Sequence, residues 1–327
     1  MASRRLLPFA TLAAAAVSAP APPGLYGISP LSQLVFVNAS TGAMTPIGAP
    51  LSAYAAGPAL GAIDARAAIL YAVMLKDVAP AAAPFLVGVR LADGSVASSF
   101  RLPFANDGDI TLGHLALNTG ATPTVAIVGG VNARQEHLFG TVSAAEGGDY
   151  RQFANLSSSW NDVGGCATAY VPATDELLVQ FNVDSGGGGG FAISVYSVSL
   201  ANGTVRVLSE DMAQGRDVQT LGGYDAMTGH VFGLGYNTSL SSRELVELDP
   251  VALSLTVVAG NVSIDSVALN GISAFDGKQR ALYWLGDRGG TDSFFLIGTS
   301  VADGRELSRV ALCAYGECPM LLAAYSP

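Results

Sequence analysis

A short pattern recurs five times along this chain at nearly constant intervals. In the copy at 222–235, GGYDAMTGHVFGLG, an apolar run ends in Tyr224-Asp225, a turn follows, and a second apolar run begins at Val231. The other copies lie at 61–74, 115–128, 169–180 and 273–285. Their shared turn position is held by Asp64, Asn118, Pro172, Asp225 and Asp276, with 51 to 54 residues between successive copies. A period of this length indicates tandem supersecondary units.

Each unit continues into a second hairpin. Its first strand is predicted at 86–91, 137–142, 193–200, 244–249 and 296–301. The turns that follow read ADGS, AAEGG, ANGT, DPVA and ADGR, and a last strand such as VASSFRL closes the unit. Asp-Gly and Asn-Gly supply the positive φ that tight hairpin turns require. Four antiparallel strands per unit are typical of a β-propeller blade.

The two ends of the chain determine the number of blades. Residues 24–48 contain strands two to four of a blade without its first strand, and 320–327, MLLAAYSP, matches the inner strand at 169–172. We therefore expect the C-terminal strand to complete the N-terminal blade, which leaves no open sheet edge between the first and last blades. The predicted fold class is all-β: a six-bladed β-propeller with four antiparallel strands per blade, forming a single domain over 20–327.

The blade sequences resemble those of secreted or periplasmic propellers with YncE/NHL/YWTD-like repeats. Leu25-Tyr26-Gly27 and the run LVFVNASTG at 34–42 are similar to the pattern LYG…L-x-x-[IV]-[DN]-x-x-T-G, and Leu282-Tyr283-Trp284 resembles the LYW of YWTD-type blades. The resemblance covers nearly all of the chain after the N-terminal segment. It implies an architecture and carries over no catalytic residue.

The N-terminal segment, 1–19, has the layout of a secretory signal peptide. Arg4 and Arg5 precede an apolar run at 6–17, and small residues follow, with cleavage expected around Ser18 or Ala19. The alternative is a short membrane anchor, but the run is shorter than the ~20 apolar residues that a membrane span needs. We expect a secreted, extracellular protein with no membrane span.

Sequons and cysteines agree with export. The N-x-[ST] sequons are at Asn38, Asn155, Asn202, Asn237 and Asn261, which predicts a glycoprotein. Cys313 and Cys318 bracket four residues and are expected to form a disulfide in an oxidising compartment. The net charge is −10, and Lys76 and Lys278 are the only lysines, so nucleic acid is not expected as a partner.

Four carboxylates recur before the predicted inner strands, at Asp109, Asp162, Asp217 and Asp265. Equivalent positions in a ring converge on one axis, so these groups, together with Asn118, are candidates for a Ca²⁺ site at the channel mouth. In the alternative interpretation, each aspartate only organises its own turn. The turn residues Asp64, Asp225 and Asp276 are interpreted as structural for the same reason.

No catalytic residues can be identified: there is no nucleophile elbow, and the G-x-G spacings lie inside strands. Three functions stay open. The first is a binding module for a protein, a carbohydrate or a small molecule at the channel mouth. The second is a Ca²⁺-dependent hydrolase of the lactonase kind, which resembles this chain in blade number. The third is a purely structural cell-wall or matrix glycoprotein. Glycans at Asn155, Asn237 and Asn261 would leave blades six, one and two open to a partner.

Overall fold

In a computed structural model, the chain forms six four-stranded antiparallel sheets arranged in a ring. The structure describes residues 20–78, 81–102, 110–118, 124–132, 137–144, 146–156, 168–184, 191–208, 216–237, 239–262, 272–287, 293–314, 317–319 and 321–327. Helices are absent from these ranges, and so is any helix long and apolar enough to cross a bilayer.

Each sheet is one blade whose four strands follow one another from the channel outwards. Blade 1 contains β24 (Leu321–Tyr325), β1 (Gly24–Ile28), β2 (Leu34–Val37) and β3 (Met44–Ile47). Blade 2 contains β4 (Ala55–Asp64), β5 (Ile69–Val78), β6 (Ala81–Arg90) and β7 (Val96–Arg101). Blade 3 contains β8 (Ile110–Asn118), β9 (Val125–Asn132), β10 (His137–Ser143) and β11 (Gly147–Leu156).

The second half of the ring repeats this order. Blade 4 contains β12 (Thr168–Val171), β13 (Glu176–Asp184), β14 (Phe191–Ser199) and β15 (Val205–Val207). Blade 5 contains β16 (Arg216–Asp225), β17 (His230–Asn237), β18 (Ser242–Asp249) and β19 (Ser254–Gly260). Blade 6 contains β20 (Ser273–Asp276), β21 (Ala281–Asp287), β22 (Ser293–Ser300) and β23 (Glu306–Ala314). The predicted six-bladed propeller is confirmed.

The hydrophobic core is divided into six clusters, one between each pair of neighbouring blades. Strand β5 shows why. Leu70, Ala72 and Met74 pack toward blade 1, whereas the alternate residues Tyr71 and Val73 pack toward blade 3. Because successive side chains of a strand point to opposite faces and both faces of a blade pack against a neighbour, the central strands carry apolar residues at consecutive positions. This explains the continuous apolar runs of the repeat.

The ring closes through β24, which pairs antiparallel with β1 from Gly24↔Tyr325 to Ile28↔Leu321. Tyr325 is buried and lies edge-on to Tyr26, with ring centroids 6.1 Å apart. The Tyr26 hydroxyl donates a 2.6 Å hydrogen bond to the Pro22 carbonyl, and burial raises the pKa of this phenol to about 12. The C-terminal strand therefore completes the first blade, as the sequence predicted.

The six turns between the third and fourth strands share one left-handed residue. Five of them use glycine, namely Gly42, Gly94, Gly147, Gly203 and Gly304, with φ between 70° and 72°. The predicted role of Asp-Gly and Asn-Gly in these turns is confirmed. Blade 5, whose turn reads DPVAL, places Leu253 at the same position with φ 49°. Asp249 caps that turn by accepting from the Val251 and Ala252 amides, and the Ala252 hydrogen bond contributes most to lowering the pKa of its carboxyl.

Candidate functional site

The two faces of the ring differ in how their strands are connected. On one face, which we call the upper face, the second and third strands of each blade are joined and the chain passes to the next blade. The lower face carries the turns between strands one and two and between strands three and four. The channel mouth is the opening on the upper face.

A lysine held by two aromatic rings lies near the upper face of blade 2. The Lys76 ammonium is 5.4 Å from the centre of the Tyr54 ring and 5.5 Å from that of Phe85. The two rings meet edge to face, with centroids 6.2 Å apart, and the Tyr54 hydroxyl shares a 2.7 Å hydrogen bond with Ser99. We call Tyr54, Lys76 and Phe85 the aromatic–lysine cluster.

The position of Lys76 follows from strand alternation. Met74, two residues earlier in β5, is buried between blades 1 and 2, and Tyr54 and Phe85 pack against that same core. Lys76 therefore projects from the same side of the sheet, one step closer to the upper face. Attraction between an ammonium and the face of an aromatic ring stabilises this arrangement by about 0.5–2 kcal/mol. Among the side chains that the structure describes, no carboxylate forms an ion pair with Lys76.

Blade 1 contributes an exposed apolar side chain to the same face. Leu31, in the turn between β1 and β2, is 77% exposed. The turn is held by the Leu51 amide, which donates to the Ser32 carbonyl at 2.9 Å, so the connection between blades 1 and 2 supports it. The upper face of these two blades thus combines a cation, aromatic surface and an apolar side chain.

The aspartates at the turns between strands one and two lie on the lower face and are structural, as predicted. Asp64, Asp225 and Asp276 are each at most 5% exposed. Each accepts from the amide two residues on, at 2.9–3.0 Å. The same carboxylates also reach the following blade. Asp64 accepts from the Thr124 hydroxyl at 2.5 Å, Asp225 pairs with Arg280 at 3.2 Å, and Asp276 accepts from the Ser326 hydroxyl at 2.7 Å.

The sequence does not predict these contacts between blades. Another contact between blades, from blade 4 to blade 5, involves Arg206. Its guanidinium binds Glu176 at 2.6 Å in its own blade and donates to the Pro250 and Val251 carbonyls of blade 5, both at 2.8 Å. No spacing rule identifies the partners between blades, because they are some 44 to 60 residues apart and occupy different positions in each unit. The sequence does not predict the aromatic–lysine cluster either, because its three members belong to different strands or loops.

The predicted metal ligands are only partly covered by the structure. Asp109, Asp162 and Asp265 lie outside the described residues. Asp217 is the second residue of β16, at its upper end, whereas Asn118 is the last residue of β8, at its lower end. Inner strands of nine or ten residues span about 30 Å at 3.3 Å per residue, so the structure does not bring Asn118 and Asp217 together. No group of three or more His, Cys, Asp or Glu side chains within the described ranges is arranged to hold a metal ion.

The sequons differ in accessibility. Asn38, Asn155, Asn202 and Asn261 are exposed. Asn237 is 8% exposed and hydrogen-bonded at both ends of its amide. Cys313 and Cys318 are joined by a disulfide at the end of β23.

Comparisons with known proteins show the fold but neither a family nor a function. No family model matches the chain, and no curated protein matches it. A chain from the crystal structure of a nidogen–laminin complex is 12% identical, with a TM-score of 0.61, and the match covers 92% of this chain and 97% of that one. The apocarotenoid oxygenase of Synechocystis is 11% identical, with a TM-score of 0.53, covering 92% and 72% of the two chains. A xyloglucanase from Xanthomonas campestris is 15% identical, also with a TM-score of 0.53, covering 90% and 44%.

Proposed function

We propose that the protein is a secreted binding module that holds its ligand on the upper face of blades 1 and 2. The observation that carries this proposal is the aromatic–lysine cluster. Fold likeness alone does not separate binding from catalysis, because the similar structures include a protein complex and two enzymes. The residues of the site must therefore support the choice.

The cluster favours a ligand with a carboxylate. A lysine ammonium has three N–H donors, and its two aromatic neighbours occupy none of them as conventional acceptors. Hydrogen bonds between an ammonium and a carboxylate are among the strongest that side chains make. The rings keep the ammonium in place before the ligand arrives, which lowers the entropic cost of binding.

The charge of the whole protein restricts the ligand further. With a net charge of −10, the surface repels polyanions over a Debye length of about 8 Å at physiological ionic strength. An oligosaccharide bearing one carboxylate is repelled far less than a polyanion, and it can also use the Tyr54 ring and the exposed Leu31 side chain. We therefore propose an acidic sugar as the ligand.

An array of sialylated and uronic-acid oligosaccharides, printed beside their neutral counterparts, tests this function. We expect binding to acidic members and at least tenfold weaker binding by Lys76→Gln, with Lys76→Arg retaining most of it. Lys278→Gln is the matched control, because it removes the same charge from the lower face. Equal binding of acidic sugars by the wild type and Lys76→Gln, or no binding to any of them, would contradict the proposal.

One observation supports the hydrolase alternative: Asp217 lies at the upper end of β16. A melting curve distinguishes the two functions. Calcium at 100 times its dissociation constant would stabilise the fold by about 2.7 kcal/mol. The binding module predicts the same melting temperature in EDTA and in millimolar Ca²⁺, whereas a clear rise with Ca²⁺ would favour the hydrolase.

A further inference from the structure

The five sequons are equivalent in sequence but not in structure. Asn38 lies in the turn between β2 and β3, and Asn202 lies in the matching turn between β14 and β15. Asn237, in contrast, is the last residue of β17, where it pairs with Ser242 of β18. The chemistry of N-glycosylation needs the side-chain nitrogen Nδ2 to carry the sugar, so the contacts of this atom in the folded protein separate the three sites.

At Asn38 and Asn202 the amide oxygen accepts hydrogen bonds from the turn, and the amide nitrogen has no hydrogen bond within the described residues. Asn38 Oδ1 accepts from the Ser40 amide at 2.9 Å and the Thr41 amide at 3.1 Å. Asn202 Oδ1 accepts from the Thr204 amide at 2.9 Å. Both asparagines and both sequon hydroxyl residues, Ser40 and Thr204, are exposed. A sugar on Nδ2 leaves these oxygen contacts intact.

At Asn237 both ends of the side-chain amide are engaged. Its Nδ2 donates to the Glu244 carboxylate at 3.2 Å, and its Oδ1 accepts from the Leu240 amide at 3.1 Å. Glu244 is only 4% exposed. A sugar on this nitrogen has no room in the buried site, and the displacement would remove a hydrogen-bond donor from a buried carboxylate, which is costly. A glycan at Asn237 is therefore incompatible with the native fold.

We infer that the folded protein carries N-linked glycans at Asn38 and Asn202 and none at Asn237. Blades 1 and 4 are opposite each other in the ring, since each inner strand contacts the next in chain order and β24 contacts β4. Two glycans on their outer turns cover both sides of the lower face and leave the upper face of blade 5 free at Asn237. This inference is independent of the ligand and rests on export of the chain.

Site-by-site mass spectrometry of the full chain secreted from a eukaryotic cell line tests the inference. Enzymatic release of the glycans in ¹⁸O-water marks each occupied asparagine. We expect the label at Asn38 and Asn202 and unmodified peptide at Asn237. Label at Asn237 in the folded, monomeric protein would overturn the inference, as would unlabelled Asn38 and Asn202 or retention of the chain in the cytosol.

Hydroxyl variants provide a matched control, because they remove a sequon without touching the asparagine. Ser40→Ala and Thr204→Ala should each lower the apparent mass by one glycan, whereas Ser239→Ala should change neither the mass nor the melting temperature. The variant Asn237→Asp distinguishes the loss of a glycan from a loss of folding stability. It places a second carboxylate beside Glu244, so we expect a lower melting temperature with the glycan mass unchanged. Loss of one glycan in Ser239→Ala or in Asn237→Asp would contradict the inference.

Discussion

Single residues in left-handed conformation shape the lower-face turns of this propeller. In the four blades where the structure describes the turn between strands one and two, this turn ends on a positive φ, at Ala68, Asp175, Gly229 and Arg280. Only one of the four is glycine, although a side-chain-bearing residue in this conformation costs roughly 1–2 kcal/mol. The fold therefore tolerates local strain where the turn must return the chain into the next strand.

The variant Gly229→Ala measures the energetic cost of placing a side chain in the left-handed conformation. A methyl group at Gly229 meets nothing closer than the Tyr224 hydroxyl at 3.9 Å, so the φ of 80° is the main penalty. We expect urea denaturation to show a loss of about 1 kcal/mol in the free energy of unfolding. Gly260→Ala is the control, because a methyl there also meets nothing within 4 Å and its φ lies outside the left-handed region. It should be neutral or slightly stabilising, and equal losses in both variants would refute the explanation.

At the scale of strands and turns, polar contacts tie neighbouring blades together on the lower face. Three inner turns, at Asp64, Asp225 and Asp276, organise their own backbone and also reach the next blade, as Asp225 does with Arg280. The Asp225 side chain is 3% exposed and that of Arg280 is 29% exposed, so solvent screens this pair only partly. Its energetic coupling should exceed that of a pair on the outer surface.

A double-mutant cycle measures the coupling between these two blades. Asp225→Asn retains an oxygen for the Met227 amide but loses the charge facing Arg280. We expect a coupling energy of about 1 kcal/mol between Asp225→Asn and Arg280→Gln. The Glu306–Arg309 pair on the outer strand β23 should give no more than about 0.5 kcal/mol. A value for Asp225 and Arg280 no larger than that of the surface pair would show that the contact between blades adds nothing.

The sequence predicts these elements better than it predicts their contacts. Alternation and turn chemistry are local properties, so the strands ending at Arg90, Ser199 and Asp249 and the turns that follow them are predictable. The aromatic–lysine cluster depends on the register between β4, β5 and β6, which periodicity does not determine. The burial of Asn237 depends on Glu244 in the neighbouring strand, so its sequon looks the same as the others.

At the scale of the whole molecule, stability depends on a ring in which the last strand belongs to the first blade. Removing it would leave β1 unpaired on its inner side and expose the core that Leu321 and Tyr325 complete. It would also break the Lys278 contact with the Pro327 carbonyl, which spans blades 6 and 1. The ring would then have an open sheet edge and an uncovered apolar face, both of which favour aggregation.

A deletion and a circular permutant test this dependence together. We expect a chain lacking 321–327 to aggregate or to lose its cooperative thermal transition. Moving the strand in front of β1, joined through the four turn residues GKQR of blade 6, restores the same pairing through a local hairpin. The permutant should melt within a few degrees of the wild type. A soluble deletion variant with an unchanged transition would show that β24 is dispensable.

The pairing of β24 with β1 also has a consequence during synthesis. The first blade is translated early but cannot be completed until its inner strand has left the ribosome, after five other blades have been made. Until then β1 presents an unpaired edge, and translation at about 5–20 residues per second leaves it open for many seconds. This interval is the period in which chaperones must protect the unfinished blade. Closure of the ring thus has to wait until the other five blades have been made.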